Sequence, residues 1–309
     1  MRAELWQQKT WGKAPDYTFE DVMTEYLRAK QGTSSYITVV NAVKALRVYF
    51  GGMVIQDIRK DQVRAAMRTM AHEKHHAGGY ITLRIATFRA AISFCRRELD
   101  WPIEDPSRGI SMPKREKRVR WITQIEARRL LSAARSISNH GLLADFIELA
   151  LNTGMRKNEM LMLQWKNVNF EERIITLLAD ENKSGRTRSI PLNDSAVAAL
   201  RRRRAFVDMN CQNSPWVMAR RDGERAINIY YSFNKACKAA GIDNFRIHDL
   251  RHTCASWLVS TGVPLADVKE VLGHASIVMT ERYAHLAPHR AIEAVSRLVM
   301  SQSSHINAP

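Results

Sequence analysis

Between Pro106 and Arg120 the chain cannot continue any regular element, and this break governs how the rest can fold. Pro106 and Pro113 each fix φ and lack a backbone N–H, and Gly109 between them loosens the chain further. Upstream, apolar residues recur at helical spacing. Downstream, β-rich runs are interspersed among helical ones. A chain of 309 residues also exceeds the ~100–200 that one domain usually holds. The expectation is two bodies, residues 17–105 and 121–290, joined by a linker over 106–120. Residues 1–16 read as a loose arm and 291–309 as a tail helix with a loose end.

Upstream, Thr18 with Asp21 forms a capping box, and Phe19, Val22, Met23, Tyr26 and Leu27 follow at helical intervals. Further helices are predicted over 34–50, stopped by Gly51-Gly52, over 59–72, and from just after Gly78-Gly79 to Leu99. Four helices with short connections make a small bundle whose apolar stripes are core. Downstream, Thr123 with Glu126 caps a helix, and Leu142–Asn152 forms another that ends at Thr153-Gly154. Residues 173–178 and 187–192 are predicted to pair as a hairpin, with Trp216–Met218 as a third short strand. Asp194 is expected to cap a helix ending in Arg201–Arg204, most of them solvated and one or two meeting phosphate, and a helix over 227–240 closes at Gly241. The fold class is therefore mainly α with a small antiparallel β-sheet, a helical bundle followed by an α+β domain.

Charge narrows the partners. The chain carries 47 Lys and Arg against 31 Asp and Glu, a formal +16, which favours a polyanion, nucleic acid before membrane. Six of the residues from Arg108 to Arg120 are basic against one acid, so the linker, through Lys114, Arg115, Lys117 and Arg118, is expected to cross a DNA backbone. The four cysteines include no CxxC pair and read as reduced thiols. With no signal-like start and no apolar run of ~18 residues, a soluble protein of the cytoplasm is expected, with no membrane partner.

The densest chemistry lies in Phe245–Leu286, FRIHDLRHTCASWLVSTGVPLADVKEVLGHASIVMTERYAHL. His248 and Arg251 share a helical face. Gly262 stops that helix, Pro264 opens the next, and Gly273 ends it so that His274 falls at a turn. A third helical run carries Tyr283. Two imidazoles, a guanidinium and a phenol on one face suit a phosphate. Arg156, just past a glycine turn, is similarly placed to hold an anion, or else to pair with Glu159 or Glu148 on the surface; in the first reading Glu159 is its buried brace. A zinc reading of His248 and His252 at i, i+4 fails, because Asp249 stands where that motif needs glutamate and no third ligand follows. His252 and Cys254 then read as packing residues of the helix, and His285 and His289 as solvated.

The HDLRHT and LGHAS runs with the following Tyr283, the LNTGMRKNEM run around Arg156 and the NKSGRTRSIPL run resemble the tyrosine recombinase family, which includes phage integrases. The resemblance implies a four-helix core-binding domain and a catalytic domain that close on DNA as a clamp. It implies Arg156, Lys183, His248, Arg251, His274 and the nucleophile Tyr283 as catalytic residues, with Arg186 and Arg188 as near competitors for the lysine's place. In that chemistry the arginines grip the non-bridging oxygens and Lys183 protonates the departing 5′ oxygen. His248 assists proton removal from Tyr283, and His274 donates to the phosphate. The product is a covalent 3′-phosphotyrosine, so neither ATP nor a metal cofactor is called for. The implied partners are double-stranded DNA at core or attachment sites, a homotetramer on that DNA, and accessory DNA-bending or directionality proteins. Phage integration is the first expectation. Resolution of chromosome dimers, transposon mobility, or a binding protein that keeps the fold without the chemistry are the alternatives. The ~16 residues before the first helix are too few for the arm-binding domain that many phage integrases carry.

Overall fold

A computed structural model describes residues 15–72, 78–113, 120–137, 140–179 and 187–287. The chain forms two compact units, Met1–Lys117 and Arg118–Pro309.

The first unit holds α1 (Phe19–Lys30), α2 (Tyr36–Phe50), α3 (Lys60–His72) and α4 (Gly78–Glu98). α1 starts at the expected capping box: Thr18 Oγ1 accepts from Asp21 N at 3.2 Å, and Thr18 N donates to Asp21 Oδ2 at 2.8 Å. α2 ends at the expected glycines, where Glu20 of α1 accepts from Gly52 N at 2.9 Å. α4 packs against each of the other three helices. Its Phe88 stacks on Phe50 at 5.3 Å between ring centres, and Phe19 lies about equally far from both rings. Each ring is essentially fully buried and contributes roughly 2–3 kcal/mol. The start of the expected linker belongs to this unit. Ser107 and Ile110 are buried, and Arg89 of α4 donates to Ser107 Oγ, Ser107 O and Ile110 O at 2.8, 2.6 and 3.0 Å.

The second unit is built round α6 (Leu142–Thr153), apolar on almost every side. Packed against it are α5 (Gln124–Ile137), α8 (Asp194–Asn210) and α10 (Ile247–Ser260). A short α7 (Lys157–Leu161) leads to an antiparallel sheet of β1 (Val168–Asn169), β2 (Ile174–Leu177) and β3 (Arg188–Pro191), in the order β1-β2-β3. Ile175 pairs with Ile190, and both are fully buried beneath the sheet. After α8 come α9 (Tyr230–Ala239), α10, α11 (Leu265–Leu272) and α12 (Val278–Glu281). α5 opens at its expected cap, with Glu126 N donating to Thr123 Oγ1 at 3.2 Å.

Three expectations are corrected. The third strand is Val168–Asn169, while Trp216 makes only one isolated bridge, to Gln164. The cap of α8 is Asn193, whose Oδ1 accepts from Ala196 N at 3.0 Å, and Asp194 instead pairs with Arg173. The helix also runs on past the arginines to Asn210 instead of ending in them; three of the four are exposed, as expected, while Arg203 is completely buried, donating to the carbonyls of Val217, His140 and Ala219, because α8 turns that position inward. Arg202 pairs with Asp145 and Glu148 at 2.7 and 2.6 Å. The tail helix expected over 291–300 lies outside the described residues.

Candidate active site

Three features of the second unit place the expected side chains together. At the first, α6 ends in Gly154, whose φ of +62° is left-handed and costs glycine little. A Cβ there would also overlap Leu272 Cδ2 and lie 3.3 Å from Cys254 Sγ. The chain thus turns tightly and sets Arg156 at the start of α7. Arg156 N and Nη1 donate to Glu159 Oε2 and Oε1 at 2.8 and 2.7 Å, and Nη2 donates to Gly273 O at 3.2 Å. Glu159 is therefore the buried brace that the sequence suggested. It has a second client, since Arg188 of β3 donates to Glu159 Oε2 at 2.7 Å and to Val271 O at 2.8 Å.

The second feature is α10. Arg251 is buried and its Nη1 donates to Gly154 O at 2.7 Å, while its Nη2 is buried with no partner among the described residues. Burial, then the charges of Arg156 and Arg188, pull the Arg251 pKa down to about 9. Burial alone would raise the Glu159 pKa, but Arg188 and the hydrogen bonds from Arg156 overturn that and hold the carboxylate ionised. Three guanidiniums thus gather near one carboxylate, which bonds Arg156 and Arg188 and reaches Arg251 only through space. An excess of buried positive charge beside an unsatisfied donor is a site for an anion.

The third feature is the turn after α11 and the short α12. Gly273, at φ +63°, ends α11 against the side chain of Arg188. His274 follows, with Nδ1 2.8 Å from Thr280 Oγ1. Burial, then Arg251 and Arg156, lower the His274 pKa to about 3, so the ring is neutral. A Thr280 hydroxyl that donates to Nδ1 leaves the proton on Nε2, a donor suited to a phosphate oxygen. Tyr283 follows α12 and is almost fully buried. Burial raises its pKa to about 12, against the opposing pull of Arg282 and Arg251.

His248 keeps an exposed edge on α10, and partial burial and Arg251 lower its pKa. It makes no hydrogen bond among the described residues. The Tyr283 hydroxyl bonds instead to Nδ1 of His252, whose ring meets His248 edge-on at 4.9 Å between centres. The reading of His252 as a packing residue is thereby corrected, while Cys254, buried against Gly154, is one. Sequence reasoning also left the place of Arg188 open. The spacing of His252 from His248 put them on one face, but nothing local announced that a phenol 31 residues away would reach it. His285 is exposed as expected. Lys183, Arg186, His289 and the linker residues Lys114, Arg115, Lys117 and Arg118 lie outside the described residues. Among the described residues, no cluster of three His, Cys, Asp or Glu could hold a metal ion, and no helix is long and apolar enough to cross a membrane.

The sequence profile of the Phage integrase family matches residues 120–290, which hold the whole of this constellation. The integrase of Salmonella phage P22 is 28% identical over 95% of this chain and 82% of its own length. The tyrosine recombinase XerD of Caulobacter vibrioides is 34% identical over 60% of this chain and 64% of its own length. Among solved structures, a lambda integrase tetramer bound to a Holliday junction shares the fold, with a TM-score of 0.70 and 20% identity over 89% of this chain and 79% of that one.

Proposed function

The chain belongs to the phage integrase family and is a site-specific tyrosine recombinase, and from that premise we propose how its residues divide the reaction. The observation that carries the assignment is the open Nη2 of Arg251, a buried donor beside two further guanidiniums and the Tyr283 phenol. A phosphodiester supplies the charge this pocket lacks. Arg156 and Arg251 hold its non-bridging oxygens, where their charge counts most as the pentacoordinate transition state forms. Arg188, tied to Glu159, fixes the carboxylate that orients Arg156. His274 donates to a phosphate oxygen.

The Tyr283 oxygen attacks phosphorus, the bond to the 5′ oxygen breaks, and Lys183 supplies that oxygen's proton. The product is a 3′-phosphotyrosine that a 5′ hydroxyl reverses. One phosphodiester is exchanged for another, so the step runs without ATP. The first unit, from residue 17 through the anchored Ser107 and Ile110, serves as the core-binding domain and 121–290 as the catalytic domain. The basic residues Lys114, Arg115, Lys117 and Arg118 of the linker contact the DNA backbone. The enzyme acts as a tetramer on two double-stranded sites in the cytoplasm, at the nucleoid, with accessory proteins setting direction.

Likeness to the phage P22 integrase along nearly the whole chain favours integration and excision of a viral genome. The higher identity to a Xer recombinase over the shorter span keeps chromosome resolution as the second reading. One assay tests both. Protein is mixed with DNA from the gene's own neighbourhood and denatured, and the DNA left attached is sequenced, with Tyr283→Phe as control. Attachment by wild type only, at one recurring sequence joining mobile to host DNA, is expected. A site within the chromosome's terminus region decides for resolution. Tight binding without attachment refutes the catalytic assignment.

A further inference from the structure

The proton on Tyr283 must leave before or as the phenol oxygen bonds to phosphorus, and the geometry points to His252 as the group that receives it. This inference rests on the recombinase assignment above and deepens it. The Tyr283 hydroxyl, nearly sealed from water, bonds to Nδ1 of His252. His248, the histidine that the HxxR pattern suggests for the role, bonds to nothing among the described residues and keeps an exposed edge. The two rings lie edge-on at 4.9 Å between centres. A proton taken up at Nδ1 thus sits beside a second, partly exposed imidazole.

The step balances without a co-reactant. The phenol O–H bond breaks and its proton moves to His252 Nδ1. The phenol oxygen bonds to phosphorus as the P–O5′ bond breaks, and the general acid protonates the 5′ oxygen. In the reverse step, the departing phenolate recovers the proton from His252. His252 is held for this by its place on α10, one residue beyond Arg251, so the acceptor for the proton and one anchor for the phosphate move as a single rigid element. A general base of this kind contributes ~10²–10⁴-fold in rate.

The test uses the full chain and the DNA recovered by the covalent assay. Single-turnover formation of the covalent complex is timed for wild type, His252→Asn, His252→Gln and His248→Asn. Asn places a polar atom near the Nδ1 position but cannot take up a proton, and Gln is the second variant should Asn fold poorly. Each is then prepared with a fluorinated tyrosine at position 283, whose more acidic phenol has less need of a base. His252→Asn is expected to slow attachment by ~10²-fold or more with DNA affinity unchanged, and the fluorinated phenol is expected to recover at least about tenfold of that loss. A slow variant that the fluorinated phenol does not recover makes His252 a packing residue and overturns the inference. Recovery confined to His248→Asn, or a His252→Asn rate equal to wild type, overturns it too. If wild type itself attaches to no DNA while binding it, the recombinase assignment fails, and this inference with it.

Discussion

Glu159→Gln isolates the electrostatic design of the site. The substitution keeps size and shape but removes the negative charge shared by Arg156, Arg188 and, through space, Arg251. The Glu159 side chain is 5% exposed and that of Arg188 11%, so water does little to screen the change. Leaving one partner of a buried pair uncompensated costs ~3–5 kcal/mol. Gln retains an acceptor for one or two of the three hydrogen bonds, and Arg156 is partly exposed, so a loss near the lower end, about 3 kcal/mol, is expected in urea unfolding of the second unit. A bound anion restores the missing charge. At fixed ionic strength, replacing chloride by sulfate should therefore raise the unfolding midpoint of Glu159→Gln more than that of wild type, by the mass-action dependence on its tighter binding. Covalent attachment to DNA should fall, because Arg156 loses its orientation. An unchanged midpoint together with an equal sulfate response in the two proteins would refute the reasoning.

Gly154→Ala combines a left-handed φ with overlap on Leu272, so a loss of about 2 kcal/mol or more is expected, with covalent attachment reduced further than stability alone explains. Thermal unfolding and the attachment assay check the two parts. Arg203→Met removes a buried charge but strands the buried carbonyls of Val217 and Ala219; a loss of roughly 3 kcal/mol is expected in urea unfolding, since unpaired buried acceptors cost ~1–3 kcal/mol each. His274 adds a pH dependence of definite sign to the stability. Its folded pKa of about 3 lies below the ordinary value of 6.5, so the unfolded chain binds more protons between them. The stability it contributes is complete above pH 6.5 and declines as pH falls toward 3. At pH 5 the loss is roughly 1–2 kcal/mol, and His274→Gln should flatten the unfolding midpoint across that range.

What could be read from the sequence divides by distance along the chain. The capping boxes at Thr18 and Thr123, the glycine ends of α6 and α11 and the stripes of α1 to α4 are local signals, and each formed where spacing put it. β1 escaped notice because two residues carry no alternation, whereas Trp216–Met218 has strand-like composition but one bridge. Asn193 and Asp194 are adjacent cap formers, and the choice between them rests on Arg173, 21 residues from Asp194. Within the site, the positions of Arg156 and Arg251 were legible from glycine turns and helix register. The anchoring of Arg188 and His252 was not, because Arg188 reaches Val271 across 83 residues and His252 reaches Tyr283 across 31. A buried Arg203 inside a run of four was hidden for the same reason: its three carbonyl partners come from other segments.

The bonds that tie the arginines together also decide when in its life the protein becomes able to cut. Arg156 waits for Gly273, 117 residues later, and Arg251 closes on Gly154 across 97. A chain still emerging from the ribosome can hold the first arginine and its glutamate, yet it lacks the second guanidinium, the carbonyl and the phenol until Arg251, Gly273 and Tyr283 have been added. Those partners lie between Arg251 and Tyr283, and α10, which carries the first of them, packs onto α6. Chains truncated before the last of these partners carry no assembled machinery for breaking a strand. In a protein that breaks DNA strands, the order of the residues along the chain thus keeps any chain that stops before Tyr283 from assembling the site.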